Sequence, residues 1–136
     1  MEEKVILEIV TPYGSILSED VDEVVASGTE GEFGVLPGHV SFVTTLNIGM
    51  LIYKKGGRNY YVFINSGYAE VISDNMMVLA DSAERSEDID IERAREAMKR
   101  AEERFKKEED LDFTRSQTAL QRAIMRIQVA EKASSR

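Results

Sequence analysis

The first part of the chain alternates. Val5, Leu7 and Ile9 share one side of an extended segment, and Ile6, Glu8 and Val10 share the other. A period of two is the pattern of a half-buried β-strand. Thr11-Pro12-Tyr13-Gly14 ends that run with a turn signal, and a valine-rich run follows from Val21 to Ala26. Met50–Tyr53 and Asn59–Ile64 flank Lys54-Lys55-Gly56-Gly57. A Gly-Gly pair between two apolar runs favours a hairpin. Asn65-Ser66-Gly67 reads as a further break, and Tyr68–Ile72 and Met76–Ala80 flank Ser73-Asp74-Asn75. Short strands at this close spacing predict a β-sandwich, or flattened barrel, over residues 1–84.

The period changes near Ala83–Ser86. Ser86-Glu87-Asp88-Ile89-Asp90 offers capping oxygens and first-turn acids, and no glycine or proline interrupts the chain from there to Lys107. Glu108-Glu109-Asp110-Leu111-Asp112 is a polar break, with Asp112 a cap for a second helix reaching about Ala133. Residues 85–136 are therefore predicted to form an antiparallel two-helix hairpin. Ala94, Ala97, Met98, Ala101 and Phe105 fall on one stripe, and Ala119, Leu120, Ala123, Ile124, Ile127 and Ala130 on the other. Small residues let the helix axes approach closely. They also bury little area, at about 25 cal/mol per Å², so the hairpin is expected to be only marginally stable by itself.

Composition adds limits. The 136 residues include no cysteine, which excludes disulfides and thiolate metal sites and suits a reducing compartment. The acidic start lacks a secretory signal's apolar run, and no stretch approaches the roughly 18 apolar residues of a membrane span. The chain is expected to be soluble, or peripheral to a membrane through partners. Its net charge of −8 is uneven: residues 1–84 hold 13 acidic and 4 basic side chains, whereas residues 85–136 hold 12 and 13. So acidic a first part argues against nucleic-acid binding.

Residues 31–39, GEFGVLPGH, concentrate three glycines, a proline and the only histidine. The run lacks the spacing and the lysine of a phosphate loop. It reads as a core-capping turn, with Phe33, Val35 and Leu36 expected to plug the core. His39 has no cysteine or second histidine to complete a catalytic or metal set, and Ser27 and Ser41 lack a nucleophile context. Glu30 and Glu32 read as solvated carboxylates rather than an acid–base pair. The arginines carry more. Arg93, Arg100 and Arg104 lie along one edge of the first alanine stripe, and Arg115, Arg122 and Arg126 along one edge of the second. Converging guanidiniums attract a polyphosphate, and Asp90 would hydrogen-bond an adenine amine or ribose, or hold Arg93. The plain alternative is a salt-bridged helix surface.

EGEFGVLPGH, then TTLNIGML, INSGYAEV and VLADSAER, resemble in content and order the epsilon subunit of the F-type ATP synthase, over nearly the whole chain. Ser41 departs from the family, which often has proline there. The resemblance implies a non-catalytic subunit of a rotary enzyme, with no catalytic residue, no metal and no required cofactor. It implies a sandwich at the foot of the central stalk that binds the gamma subunit and touches the c-ring. Glu32, Phe33, Pro37 and His39 match that contact region. It also implies a hairpin that lies folded or extends to the alpha and beta subunits of the catalytic head and restrains hydrolysis. Ile89, Asp90, Arg93 and Ala94 fit the family's I/L-D-x-x-R-A motif for a regulatory ATP site, to which Arg100, Arg122, Arg126 and Glu84 also correspond. Membrane association would come only through the complex, at the cytoplasmic face of a bacterial inner membrane. A free-standing ATP sensor and a sandwich enzyme are the competing readings.

Overall fold

The computed structural model describes residues 3–38, 41–107 and 113–134. Seven strands come first: β1 (Val5–Thr11), β2 (Gly14–Val21), β3 (Glu23–Gly28), β4 (Gly31–Val35), β5 (Phe42–Lys55), β6 (Arg58–Ile72) and β7 (Asn75–Arg85). A 3-10 turn (Ser86–Asp88) leads to α1 (Ile91–Lys107) and α2 (Phe113–Ser134). The chain divides into two compact units, Met1–Arg85 and Ser86–Arg136.

The strands lie in the order β2-β1-β7-β6-β5-β3-β4. All neighbours are antiparallel except β1 and β7, which run parallel from Ile6 opposite Asn75 to Val10 opposite Leu79. At about 3.3 Å per residue, the 14 residues of β5 and 15 of β6 are long enough to serve both layers of a sandwich. The expected alternation holds in β1: Val5, Leu7 and Ile9 are wholly buried, together with Leu17, Val24, Val35, Leu51, Val62, Val71 and Val78. Each such side chain contributes roughly 1.5–3 kcal/mol on burial.

Asn65-Ser66-Gly67 does not break the chain. Register with β5 and β7 is the same on either side of Ser66, and β6 runs through. Ser66 (φ 57°) and Gly67 (φ 141°) supply a bend instead. A Cβ on Gly67 would lie 2.0 Å from the Leu79 carbonyl oxygen, so only glycine admits β7 this closely. Three further expectations change. The Val21–Ala26 run is two strands, parted at Asp22. GEFGV is an edge strand paired with β3 rather than a turn. Strand β5 begins at Phe42, eight residues before the run that the apolar pattern marks.

Asp22 sits where three segments meet. Its N–H donates to the Lys54 carbonyl at 2.7 Å, and its carboxylate accepts from Lys4 Nζ and, at 3.0 Å, from the Gly56 N–H. The Lys4 hydrogen bond holds the carboxyl below its ordinary value; desolvation opposes it, and the Gly56 hydrogen bond assists. At the end of the unit, Arg85 donates from Nε and Nη2 to the Ile16 carbonyl, both at 3.3 Å.

The second unit begins differently from expectation. Ser86–Asp88 form a 3-10 turn packed on α2, and the cap of α1 is Asp90. Its Oδ1 accepts the Arg93 N–H at 3.1 Å, and its carbonyl accepts the first helical bond from Ala94 at 3.0 Å. The buried residues of this unit's helices are mostly small: Ala94 and Ala101 on α1, and Ser116, Ala123 and Ala130 on α2, joined there by the larger Ile127 and Val129. Ile124, expected in the seam, is exposed, since it lies about 80° from the Ser116–Ala123 line. Ser116 takes a seam position that an apolar pattern passes over. The expected cap at Asp112 lies outside the described residues.

Candidate functional site

The candidate residues fall into two groups, one in each unit. In the first unit, Glu32 is exposed on β4, opposite Ser27 of β3. Phe33, one residue on, is half-buried against the core rim and meets Phe42 edge-on, with ring centroids 5.3 Å apart. It thus props β4 against β5. The hairpin tip is pinned to β5: the Thr29 N–H donates to the Thr45 carbonyl at 3.0 Å, the two threonine hydroxyls bond each other, and Asn47 Nδ2 donates to the Gly28 carbonyl at 3.1 Å. Val35 is wholly buried, but Leu36, expected to plug the core, is 55% exposed. The reason is the reversal at Pro37–Gly38: the strand alternation that buries Val35 turns Leu36 outward. Pro37 is half-buried, and the Gly38 N–H is held by the Asp74 carboxylate at 2.6 Å. His39 lies outside the described residues. Glu84, half-buried on β7 opposite Phe63, also belongs to this unit.

In the second unit, Arg93, Arg100, Arg122 and Arg126 follow one rule. Each directly precedes a buried seam residue: Ala94, Ala101, Ala123 and Ile127. Arg115 does the same before Ser116, and Arg104 before half-buried Phe105. One residue is about 100° of helix, so all six arginines lie at nearly the same angular offset from the seam. Two antiparallel helices are related by a twofold axis normal to the plane that holds them. Equal offsets of the same hand therefore place both rows on the same face. Antiparallel order then sets Arg93 near the level of Arg126, Arg100 near Arg122, and Arg104 near Arg115. Arg122 and Arg126 are half-buried; Arg93 and Arg100 are exposed.

Asp90 stands at the head of this face, at the N-terminus of α1, but its Oδ1 caps the backbone rather than holding the Arg93 guanidinium. Ile89 is half-buried and Ala94 is buried in the seam. Arg95, on the other side of α1, pairs with Glu92 at 3.3 Å. Guanidiniums on one face are the chemistry that charge-assisted hydrogen bonding to a multiply charged anion uses. Among the described residues no cluster of three metal-ligating side chains occurs, and no helix is long and apolar enough to cross a membrane.

Sequence reasoning found the arginine rows but missed Asp74 and Thr29, which shape the β4–β5 region through partners 36 and 16 residues away. The only available hint was the Ser73-Asp74-Asn75 turn signal.

Comparison with known proteins covers both units. A family model described as the beta-sandwich domain of the ATP synthase delta/epsilon chain matches residues 4–86, and one described as the long alpha-helix domain of the same chain matches residues 87–131. An ATP synthase epsilon chain of Trichlorobacter lovleyi is 54% identical over 138 aligned positions, covering 100% of both chains. One from Thermodesulfovibrio yellowstonii is 55% identical over 107 residues, 79% of this chain and 76% of that one. Among solved structures, a chain of the Euglena gracilis mitochondrial ATP synthase (OSCP/F1/c-ring) matches with a TM-score of 0.79 at 24% identity, covering 100% of this chain and 84% of its own. A chain of the Tetrahymena thermophila mitochondrial ATP synthase central stalk/c-ring gives 0.58 at 16%, covering 98% of both. At such identities the likeness is one of fold.

Proposed function

Because this chain belongs to the ATP synthase delta/epsilon family, and is an epsilon chain with no catalysis of its own, we propose that it serves as a central-stalk subunit whose C-terminal hairpin restrains ATP hydrolysis in response to ATP. The sandwich docks on the gamma subunit and the c-ring through the β4 region, with Glu32, Phe33, Pro37 and His39 as contact residues. Proton flow through the membrane sector turns the stalk and is coupled to ATP synthesis in the head. The chain is thereby held peripheral to the bacterial inner membrane, on its cytoplasmic side.

The observation that carries the regulatory part is the division at Arg85–Ser86. On one side Arg85 is fastened to the Ile16 carbonyl; on the other stands a hairpin with an alanine seam and a face of like charges. Arginines gathered on one face favour a bound polyanion, and a small-residue seam holds the helices together only weakly without one. ATP on this face, bound by Arg93, Arg100, Arg122 and Arg126 beside Asp90, would tie the helices together. Without ATP the hairpin is released toward acidic surfaces of the alpha and beta subunits. High ATP then permits turnover and low ATP favours restraint.

The test is ATP hydrolysis by the assembled enzyme with the chain intact or ending at Ser86. The truncated form should hydrolyse faster at low ATP, and an unchanged rate would remove the restraining role. Calorimetric titration of the isolated chain with ATP should give saturable heat that Arg122→Ala and Arg126→Ala abolish. Binding by a chain that fails to travel with gamma through purification would favour a free-standing sensor.

A further inference from the structure

The turn between β6 and β7 has two consecutive left-handed residues, Ser73 (φ 46°) and Asp74 (φ 64°). This is the two-residue hairpin geometry that Asn, Asp and Gly tolerate best. Asn75 Nδ2 donates to the Ser73 carbonyl at 3.0 Å and closes the turn. Asp74 then reaches two distant segments. Its carbonyl accepts the Ile6 N–H of β1 at 2.8 Å, and its carboxylate accepts the Gly38 N–H at 2.6 Å. The turn itself has no need of a carboxylate, because asparagine or glycine would serve its backbone equally well. What the carboxylate does is grip the loop after β4, where Gly38 is itself left-handed (φ 82°).

The same rim carries large apolar side chains in the open. Ile6 is 45% exposed, Leu36 55% and Ile72 51%. Ile6 is opposite Asn75, and Asn75 is opposite Ile72, so two of the three lie in one cross-strand row beside the clasp. Grouped exposed apolar residues mark a protein contact. A loop that must be ordered on binding loses affinity, whereas one already held does not.

We propose that Asp74 is a positioning residue for stalk docking: its carboxylate holds Leu36–Gly38 in the shape that meets the gamma subunit. This rests on the docking role given above to the β4 region. The chemistry of the rim, apolar side chains around a fixed loop, fits a packed protein face.

The test measures affinity of the full chain for the immobilised gamma subunit of the same enzyme. Asp74→Gly keeps the positive φ and removes the carboxylate; it should weaken binding about tenfold. Asp74→Asn keeps an acceptor oxygen and should remain within about twofold. Asp22→Ala opens a carboxylate clasp elsewhere in the sandwich and should leave affinity unchanged. If Asp74→Gly and Asp22→Ala weaken binding alike, in step with lost thermal stability, Asp74 is merely structural and the proposal is overturned. If Leu36→Ser weakens binding but Asp74→Gly does not, docking stands and the positioning role fails. If neither changes the affinity, the docking reading fails as well.

Discussion

The two units bury different chemistry. The sandwich core is chiefly valine, leucine and isoleucine, with Phe63, Met76, Tyr53 and four alanines among them. The hairpin buries chiefly alanine, with Ser116, Ile127 and Val129. An alanine contributes a single methyl where a leucine contributes four side-chain carbons, at about 0.8 kcal/mol for each buried carbon. The sandwich therefore resists change in shape, while the hairpin is held by margins that a ligand or partner can match. The difference teaches that composition of the seam, more than length of the helices, sets how firmly each part of the chain is held.

The comparison breaks most forcibly at Gly67. Its missing Cβ admits the Leu79 carbonyl, and its φ of 141° suits no other residue. Gly67→Ala should cost about 3–5 kcal/mol, or prevent folding of the sandwich, as read by urea unfolding. A loss under 1 kcal/mol would mean that β6 and β7 can part there at little cost.

A smaller, local effect is expected in the hairpin. Asp90→Ala removes the cap on the Arg93 N–H and should cost about 1 kcal/mol, confined to α1. Amide exchange would show faster opening in the first turn of α1 with the sandwich protection unchanged. Equal acceleration in both units would mean that they unfold together.

The smallest effect is at Asp22. Its folded-state carboxyl is held below the ordinary 3.8, chiefly by Lys4. A lowered carboxyl stabilises the fold above its unfolded value, and the contribution is lost as pH falls through the folded value. Asp22→Asn should therefore flatten the acid limb of sandwich stability below about pH 4, and leave the hairpin's pH response unaltered. Unchanged acid unfolding would show the Lys4 pair to be fully screened.

Much of this organisation was legible in the sequence. Alternation located β1, the Gly56-Gly57 hairpin and the change of period before α1, because those features depend on neighbours in the chain. The arginine rows were legible too, since a helix converts spacing into a face. The Asn65–Gly67 signal misled because turn residues also bend a continuous strand. The Phe42–Gly49 half of β5 was hidden by Thr44, Thr45 and Asn47; of these, Thr45 and Asn47 stand where polar groups pin the β3–β4 tip. GEFGV hid a strand behind glycines for the reverse reason: its partner, β3, supplies the order. Asp90 was visible as a polar residue before a helix, but only the coordinates show its Oδ1 engaged by the backbone. Asp74 was illegible because its role depends on Gly38, a contact that only the folded sheet creates.

The parallel pairing of β1 with β7 has a bearing on biosynthesis. Strand β1 leaves the ribosome with β2 following for one flank, but its other flank stays bare until β7 is made. The sandwich thus cannot close while the nascent chain is shorter than about Arg85 plus the length hidden in the exit tunnel, by which time most of the hairpin has been translated. Until then Val5, Leu7 and Ile9 depend on whatever shields nascent apolar segments in the cell.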